Sequence, residues 1–376
     1  MECPVVFVHG FLDDHHVWNA VVEAMEVADF EPVALDLPGC GERARSDGPF
    51  TYPRYAADVG AVVDELDKPV VLVGHGMGAP IAELVAATHP QQTLGLMLIA
   101  PIPLGGAHLP DAELERFRAL AGDATAQRAV RRRLSAHLSE VELDRLVAVG
   151  LTARPDAMRG MVECWNSGLP GAPARSDYTG PVLILRCAGD AFVTEEVVSA
   201  AVAPRFRRAE VVTLDDAGHW PHVERPAAVA EQTDRFVGRI LADGPRRWRD
   251  AFAHKSADEF GAAFADDVVL EASTLVRPIE GRERVKRALV TASEIYESLT
   301  FTHEASAGTR TYMEWEVSAF DGVVMKGVTI LTKDERGLII HAAVHHRPLA
   351  AALRFSAELR ERLHGLVDPD HFYSGA

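Results

Sequence analysis

Several short stretches of this chain set residues at spacings that could do chemistry. Gly74-His75-Gly76-Met77-Gly78 follows the apolar run Val70–Val73 and precedes Ile81-Ala-Glu-Leu-Val-Ala-Ala, a helix-forming pattern. A strand that turns through alternating glycines into a helix makes a sharp elbow. The elbow lifts its central residue, Gly76, above the end of the strand, where a held-out side chain could attack a substrate; Gly76 has none. The same letters satisfy G-x-G-x-x-A, the turn that cradles a dinucleotide pyrophosphate. That use needs an acid at the end of the next strand to hold the ribose, and Leu94-Gly-Leu-Met-Leu-Ile-Ala-Pro supplies none. His75, beside the turn, is a tempting substitute nucleophile. Asp13, Asp14, His15 and His16 are of metal-ligand type, but consecutive residues at a helix start diverge and Asp14 suits an N-cap, so no metal is expected. Cys40, in Pro-Gly-Cys-Gly, is a lone thiol of the kind that usually fills a small buried space. Further on, Glu314 and Glu316 share a strand face with Tyr312, and His341 and His345 alternate against Ile340, Ala342 and Val344. Period-2 alternation marks a solvated or interface face; Glu314, His341 and His345 are the candidates there for lining a pocket.

The composition bounds what these residues can serve. The chain has 376 residues, 48% hydrophobic and 25% charged, with room for more than one core. A formal charge of −17 and a pI near 5.4 argue against nucleic acid or an anionic membrane as partner. Arg131-Arg132-Arg133 does not offset that charge and reads as one solvated helical turn. The first residues carry no basic n-region, and no apolar stretch reaches the roughly 18 residues of a membrane span. Cys3, Cys40, Cys164 and Cys187 are scattered without a C-x-x-C pair, which reads as reduced thiols in a cytoplasmic protein.

The elements that must hold these residues alternate at first between strand and helix. Val5–Val8, Pro32–Leu37, Val70–Gly74 and Leu94–Ala100 read as strands, with helices between them, which implies parallel pairing. From about 104 to 178 the pattern is helical only, a lid over the strand ends. Strands resume at Pro181–Arg186 and Ala209–Leu214, and Ala227–Leu241 is a closing helix. Residues 243–248 read as a linker. A module over 249–376 follows: Trp248–Phe264 helical, Val268–Glu271 a short strand, Arg284–Tyr296 a helix. Four strand runs then come almost back to back, separated by turns at Ala307-Gly308, Asp321-Gly322 and Glu335-Arg336-Gly337, before a last helix. The predicted architecture is an α/β parallel sheet with a helical cap, followed by a separate α+β domain.

Four motifs, in order, resemble one family. His9-Gly10-Phe11, Asp36-Leu37-Pro38-Gly39, the elbow, and Ala217-Gly218-His219-Trp220-Pro-His-Val-Glu-Arg-Pro are similar to those of α/β-hydrolases of the esterase and epoxide-hydrolase type, over about residues 1–242. In that family the centre of the elbow is a serine nucleophile, so the resemblance makes Gly76 a nucleophile position without its side chain. It implies a triad acid at Asp190 and a base at His219, the imidazole held by the carboxylate in its proton-accepting tautomer. It implies an oxyanion hole from the backbone N–H groups of Phe11 and Met77, and it makes His75 a packing residue below the turn. His9, His75, Trp165 and Trp220 are expected to border the substrate pocket, and the apolar cap residues Phe117, Met158, Met161 and Trp165 suit a small hydrophobic oxygenated substrate. The C-terminal module is similar to the NTF2-like superfamily, including the SnoaL-like cyclases, on element order and on Ile279-Glu-Gly-Arg-Glu-Arg-Val and Asp334-Glu-Arg-Gly-Leu-Ile. That resemblance implies a homodimer through this module. No cofactor is expected. The functions left open are acid–base chemistry on His219 without a covalent intermediate (lyase, cyclase or direct-water hydrolase), a binding module serving an active NTF2-like domain, or a non-catalytic scaffold.

Overall fold

Cys3–Val8 (β1) and Val70–His75 (β3) are buried at every position, as strands covered on both faces must be. They lie at the centre of a six-stranded sheet of order β2-β1-β3-β4-β5-β6, parallel throughout. Its other strands are Phe30–Leu35 (β2), Thr93–Ile99 (β4), Val182–Cys187 (β5) and Ala209–Leu214 (β6). The computed structural model describes residues 3–27, 30–207, 209–241, 244–307, 309–334 and 337–373. It divides the chain into two compact units, Met1–Gly238 and Arg239–Ala376.

In the first unit Asn19–Ala24 (α1), Tyr52–Leu66 (α2) and Gly78–Thr88 (α3) connect the early strands. The helical stretch between β4 and β5 resolves into Asp111–Arg118 (α4), Ala124–Leu134 (α5), Glu140–Gly150 (α6) and Pro155–Ser167 (α7). Asp123 caps α5, and Ser139 with Glu142 forms a reciprocal capping box on α6. A single turn at Glu195–Val197 (α8), a short helix at Pro221–Glu224 (α9) and the closing helix Pro226–Leu241 (α10) complete the unit. The loops that follow β1, β3, β5 and β6 all leave from the carboxyl ends of parallel strands, the edge where such sheets place their sites.

The stretch expected as a linker is largely helical. From Gly244 it belongs to Gly244–His254 (α11), while Asp243 lies outside the described residues. The expected single helix over 248–264 is broken: Lys255 takes φ +51, and Ser256 caps Ala257–Ala263 (α12) by accepting from the Glu259 amide at 3.3 Å. The expected short strand is the nine-residue Phe264–Ala272 (β7). Ile279–Glu280 (β8) and Arg282–Ile295 (α13) follow. Then come Tyr296–Ala307 (β9), Arg310–Ala319 (β10), Val323–Lys333 (β11), Ile339–Arg347 (β12) and Leu349–Arg362 (α14). The second sheet runs β8-β7-β12-β11-β10-β9, antiparallel except for β7 with β12. The Asp321-Gly322 turn forms with both residues at positive φ; Gly308, Glu335 and Arg336 lie outside the described residues. Register shifts at Glu314/Trp315 and Ser318/Ala319 mark bulges, which bend a strand and sharpen its twist. Thr311, Met313, Trp315, Val317 and Ala319 of β10 all face the interior.

Trp315 fills that interior because Gly327 opposite it has no side chain. A Cβ on Gly327 would lie 2.2 Å from Trp315 Cζ2 and 2.2 Å from the His345 carbonyl oxygen. Gly327→Ala is therefore expected to destabilise the protein by about 1–3 kcal/mol through overpacking. Urea unfolding followed by tryptophan fluorescence checks this; an unchanged midpoint would contradict the packing described.

Candidate active site

Three glycines form the elbow, and for two of them the reason is space. A Cβ on Gly74 would lie 2.4 Å from the Gly78 carbonyl oxygen; one on Gly78 would lie 2.5 Å from the carbonyl oxygens of Val8 and His9. Helix α3 thus begins in contact with the β1 and β3 backbones. Gly76 differs. Its φ is +54, in the left-handed region, but a Cβ there would be 3.5 Å from His219 Nε2, with Gly10 Cα next at 3.9 Å. A side chain fits. The Gly76 amide donates to the Ile99 carbonyl (3.0 Å), and its own carbonyl accepts from Ala79 (3.3 Å) and Ile102 (3.2 Å), so the turn is pinned to the end of β4.

Asp190, after β5, and His219, after β6, meet at the same edge. His219 Nδ1 donates to Asp190 Oδ2 at 2.8 Å. The other carboxylate oxygen accepts from the amides of Phe192 (2.8 Å) and Val193 (3.0 Å), so Asp190 serves both as partner and as local cap, one oxygen to each. Both side chains are buried. Burial pushes the Asp190 carboxyl up, but the His219 charge and hydrogen bond, with the two amides, hold it below the usual range. Burial likewise pushes His219 down, and the Asp190 carboxylate outweighs it, so the imidazole sits above its ordinary value. The proton on Nδ1 leaves the Nε2 lone pair facing the room beside Gly76.

Two buried acids fix the surroundings of this pair. Glu224, in α9, accepts on Oε2 from the amides of Gly218 (3.0 Å), Ala136 (2.8 Å) and His137 (2.9 Å), and on Oε1 from Trp220 (3.2 Å). The His219 amide donates to Leu134 at the end of α5 (2.8 Å). Asp13 accepts from Arg131 (3.1 Å) and from Trp220 Nε1 (3.1 Å), while Arg131 also donates to the Leu12 carbonyl at 2.7 Å. Arg131 is therefore not part of a solvated turn. It is wholly buried, because α5 lies against the loop after β1, and only Arg132 and Arg133 of the triplet are exposed. Asp14 caps the short helix that starts at His15, as its type suggests.

The histidines expected at the pocket have other work. His9 Nε2 accepts from the Leu37 amide (3.0 Å) and its Nδ1 donates to the Gly10 carbonyl (2.8 Å). His75 Nε2 donates to the His219 carbonyl at 2.7 Å, and its ring lies where a Cβ on Gly10 would be, 2.6 Å from Nδ1. Asp13, His75 and His222 bring their ligand atoms within 4.8 Å of one another, all buried, with both nitrogens of His222 and Nδ1 of His75 without hydrogen-bond partners. Burial, then the neighbouring His219, pushes His75 down to about 4; burial and the His75 ring push His222 well below its ordinary value. Cys40 is buried against Met161 (Sγ to Sδ 3.5 Å) and burial pushes its thiol well up, so it is not a nucleophile at neutral pH.

The chamber over the elbow is lined by Phe11, Leu12, Met77, Ile102, Phe117, Val130, Leu134, Trp165, Phe192, His219 and Trp220. Trp165 and Trp220 are thus on it, and His9 and His75 are not. Met158 and Met161 are buried in the core instead. Phe192 was not anticipated; its place two residues after Asp190 was the available signal. The amides of Phe11 and Met77 donate to no protein acceptor among the described residues. Ile102, Phe117, Val130, Leu134 and Phe192 are shared with a wider cleft whose rim carries Glu113, Arg116, Arg133 and Glu196.

The second unit has its own cavity, lined among others by Trp248, Phe252, Tyr296, Trp315, His346 and Phe355. Glu314, His341 and His345 are not on it. Glu314 lies beside His303 (3.6 Å), His341 beside Glu271 (3.4 Å), and His345 is exposed, because the inward positions of β12 are Ala342, Val344 and His346. His346 Nε2 shares a hydrogen bond with the Tyr296 hydroxyl (2.9 Å), its Nδ1 has no partner, and burial pushes it down to about 4.

The buried neutral histidines set a pH dependence. An unfolded histidine takes its proton near 6.5, whereas folded His222 resists protonation far below that. Below pH 6.5 the unfolded state therefore binds more protons, and stability falls as pH falls. His222→Leu removes this share. Relative to wild type, it is expected to gain about 2 kcal/mol on going from about pH 8 to about pH 5. Denaturant unfolding at the two pH values checks it, and parallel losses in both proteins would contradict it.

Comparison with known proteins agrees with both units. Residues 5–232 match the model of the alpha/beta hydrolase family, and residues 246–342 match a SnoaL-like domain. Among curated relatives, the chain is 30% identical over 240 residues to the dihydrolipoyllysine-residue acetyltransferase component of an acetoin cleaving system from Pseudomonas putida. That match covers 62% of this chain and 63% of the relative's length. It is 29% identical over 256 residues to a pimeloyl-[acyl-carrier protein] methyl ester esterase of Aromatoleum aromaticum, covering 59% of this chain and 93% of that protein. An esterase structure from Exiguobacterium antarcticum has the same fold at 17% identity, with a TM-score of 0.54 over 62% of this chain and 91% of that chain. By its matched family model, its parallel sheet and the loops on that sheet's carboxyl edge, the chain belongs to the alpha/beta hydrolase family, with a SnoaL-like domain following in the same polypeptide.

Proposed function

We propose that the hydrolase unit is an acid–base enzyme that works without a side-chain nucleophile. His219 acts as the base, Asp190 orients it, and the Phe11 and Met77 amides stabilise an oxyanion on a small, hydrophobic, oxygenated substrate. The observation that carries this reading is that His219 Nε2 lies 3.5 Å from the place a Cβ would take on Gly76, with the Asp190 bond intact behind it. An acyl-enzyme is closed at residue 76, and removing a triad nucleophile costs about a million-fold in rate. Direct attack by water, carbon–carbon cleavage and cyclisation each need a base and an oxyanion site but no covalent intermediate. The esterases among its relatives support a carbonyl substrate.

The reading is tested by supplying what residue 76 lacks. Wild type is expected not to react with fluorophosphonate probes. Gly76→Ser is expected to label, and to hydrolyse p-nitrophenyl acetate about a hundredfold or more faster than wild type, the gain vanishing in Gly76→Ser/His219→Ala. A serine at this positive φ costs about 1–2 kcal/mol, which a folded unit can carry. The rate should rise with pH through the raised value of His219, because only neutral imidazole accepts the proton. A folded Gly76→Ser protein without His219-dependent activity would overturn the reading.

A second reading places the activity in the SnoaL-like domain, supported by the Tyr296–His346 pair in an apolar cavity. In that case turnover survives His219→Ala and is lost in His346→Ala. For this domain we also propose self-association through the outer face of β10 and β11, where Tyr312 and Val324 are exposed. Light scattering on the full-length protein is expected to give a dimer at micromolar concentration; a monomer contradicts it.

A further inference from the structure

We propose that the chamber over the elbow recognises a neutral, apolar compound that brings its own hydroxyl, on the carbon next to a carbonyl. The inference rests on His219 as base and on the Phe11 and Met77 amides as oxyanion donors, and it names the class of molecule that fits them. In the neutral imidazole, Nδ1 gives its proton to Asp190 at 2.8 Å and Nε2 is left as an acceptor. A lone pair in an apolar chamber is costly unless an O–H meets it. No side chain of the lining donates to it among the described residues: Trp220 Nε1 is spent on Asp13, Trp165 Nε1 makes no bond, and the other neighbours are apolar. A hydroxyl on the ligand supplies the donor.

The shape of the room says what carries that hydroxyl. Apart from residues 75 and 77 on either side, a carbon at the Cβ position of residue 76 would have His219 Nε2 nearest at 3.5 Å, then Gly10 Cα and His219 Cε1, both at 3.9 Å. These are ordinary van der Waals contacts for carbon. A hydroxyl needs only the one bond, and its carbon fills the rest. In an ordinary triad enzyme the nucleophile's oxygen and the oxyanion end on the same carbon, so the base and the two amides serve oxygens that lie very close together. A hydroxyl one carbon from a carbonyl keeps its two oxygens nearly as close. The body of the ligand then meets Trp165, which is flanked by Phe117 at 5.2 Å and Phe192 at 5.6 Å in edge-on contact, a setting for a flat apolar group without charge.

The experiment compares phenylacetylcarbinol with phenylacetone, which lacks only the hydroxyl, by calorimetric titration of the full-length protein. Wild type is expected to bind the hydroxy ketone about tenfold more tightly. In Gly76→Ser the new Oγ takes the Nε2 bond, and in His219→Phe the acceptor is gone; in both, the two ketones should bind within twofold of each other. The His219→Phe arm stands if the serine variant does not fold. Equal affinities in wild type, lost together in His219→Phe, would overturn the hydroxyl inference and leave the base reading standing. A preference unaffected by both substitutions would place the binding elsewhere and overturn it. No binding of either ketone at millimolar concentration also overturns it.

Discussion

Helix α3 begins in contact with two strands, and the first unit's site depends on that closeness. Carbonyl oxygens of Val8 and His9 lie where a Cβ on Gly78 would be, and the Gly78 carbonyl lies where one on Gly74 would be. Any side chain at either glycine would push the helix off the sheet, and with it the Met77 amide and the turn at Gly76. Gly10 adds a third such contact, with the His75 ring against it. Backbone packing at these three positions sets the distances between the loop after β1, the elbow and the loop that carries His219. Only at Gly76 is the missing side chain not demanded by space.

Around that frame the buried charges are arranged so that each has its partner. Asp190 has His219 and two amides, Asp13 has Arg131 and Trp220, and Glu224 has four amides. Paired in this way, each of these buried carboxylates has its hydrogen bonds met inside the protein. His75 and His222 take the opposite course and stay neutral through burial. The imidazole that is raised is the one with a carboxylate at hydrogen-bond distance, and it is the one facing the chamber. Of the three imidazoles packed together here, His219 is the one whose proton affinity is raised and not lowered.

Much of this was legible in the letters. The parallel sheet, the helical insert and the second domain follow from apolar runs and glycine turns, and the meeting of Asp190 with His219 is what the resemblance to α/β-hydrolases implies. What escaped reading depended on contacts across long stretches of chain. Arg131 looks like its two solvated neighbours until α5 packs on the loop after β1 and buries it. The stretch at 243–248 has a linker-like composition, yet from Gly244 on it lies in a helix whose Trp248, Ala251 and Phe252 are buried. On β12 the polar letters His341 and His345 drew attention, whereas alternation with Ala342 and Val344 puts His346 inside. Sequence alternation separates two faces but does not say which of them a cone encloses. Glu224 carries no signal of its role in the letters, because its partners are backbone amides, which leave no trace in composition.

Those partners give Glu224 a mechanical meaning. One carboxylate oxygen holds Ala136 and His137, at the inner end of the cap, and Gly218, immediately before the base; the His219 amide is itself tied to Leu134. The segment that would have to swing aside to widen the chamber therefore shares its anchor with the loop that aims the imidazole. Lifting this part of the cap strips amides from a buried carboxylate and loosens His219 in the same motion. That part of the cap and the position of His219 are thus tied to one carboxylate. The cleft rimmed by Arg116 and Arg133 shares lining residues with the chamber and includes none of Ala136, His137, Gly218 or Glu224.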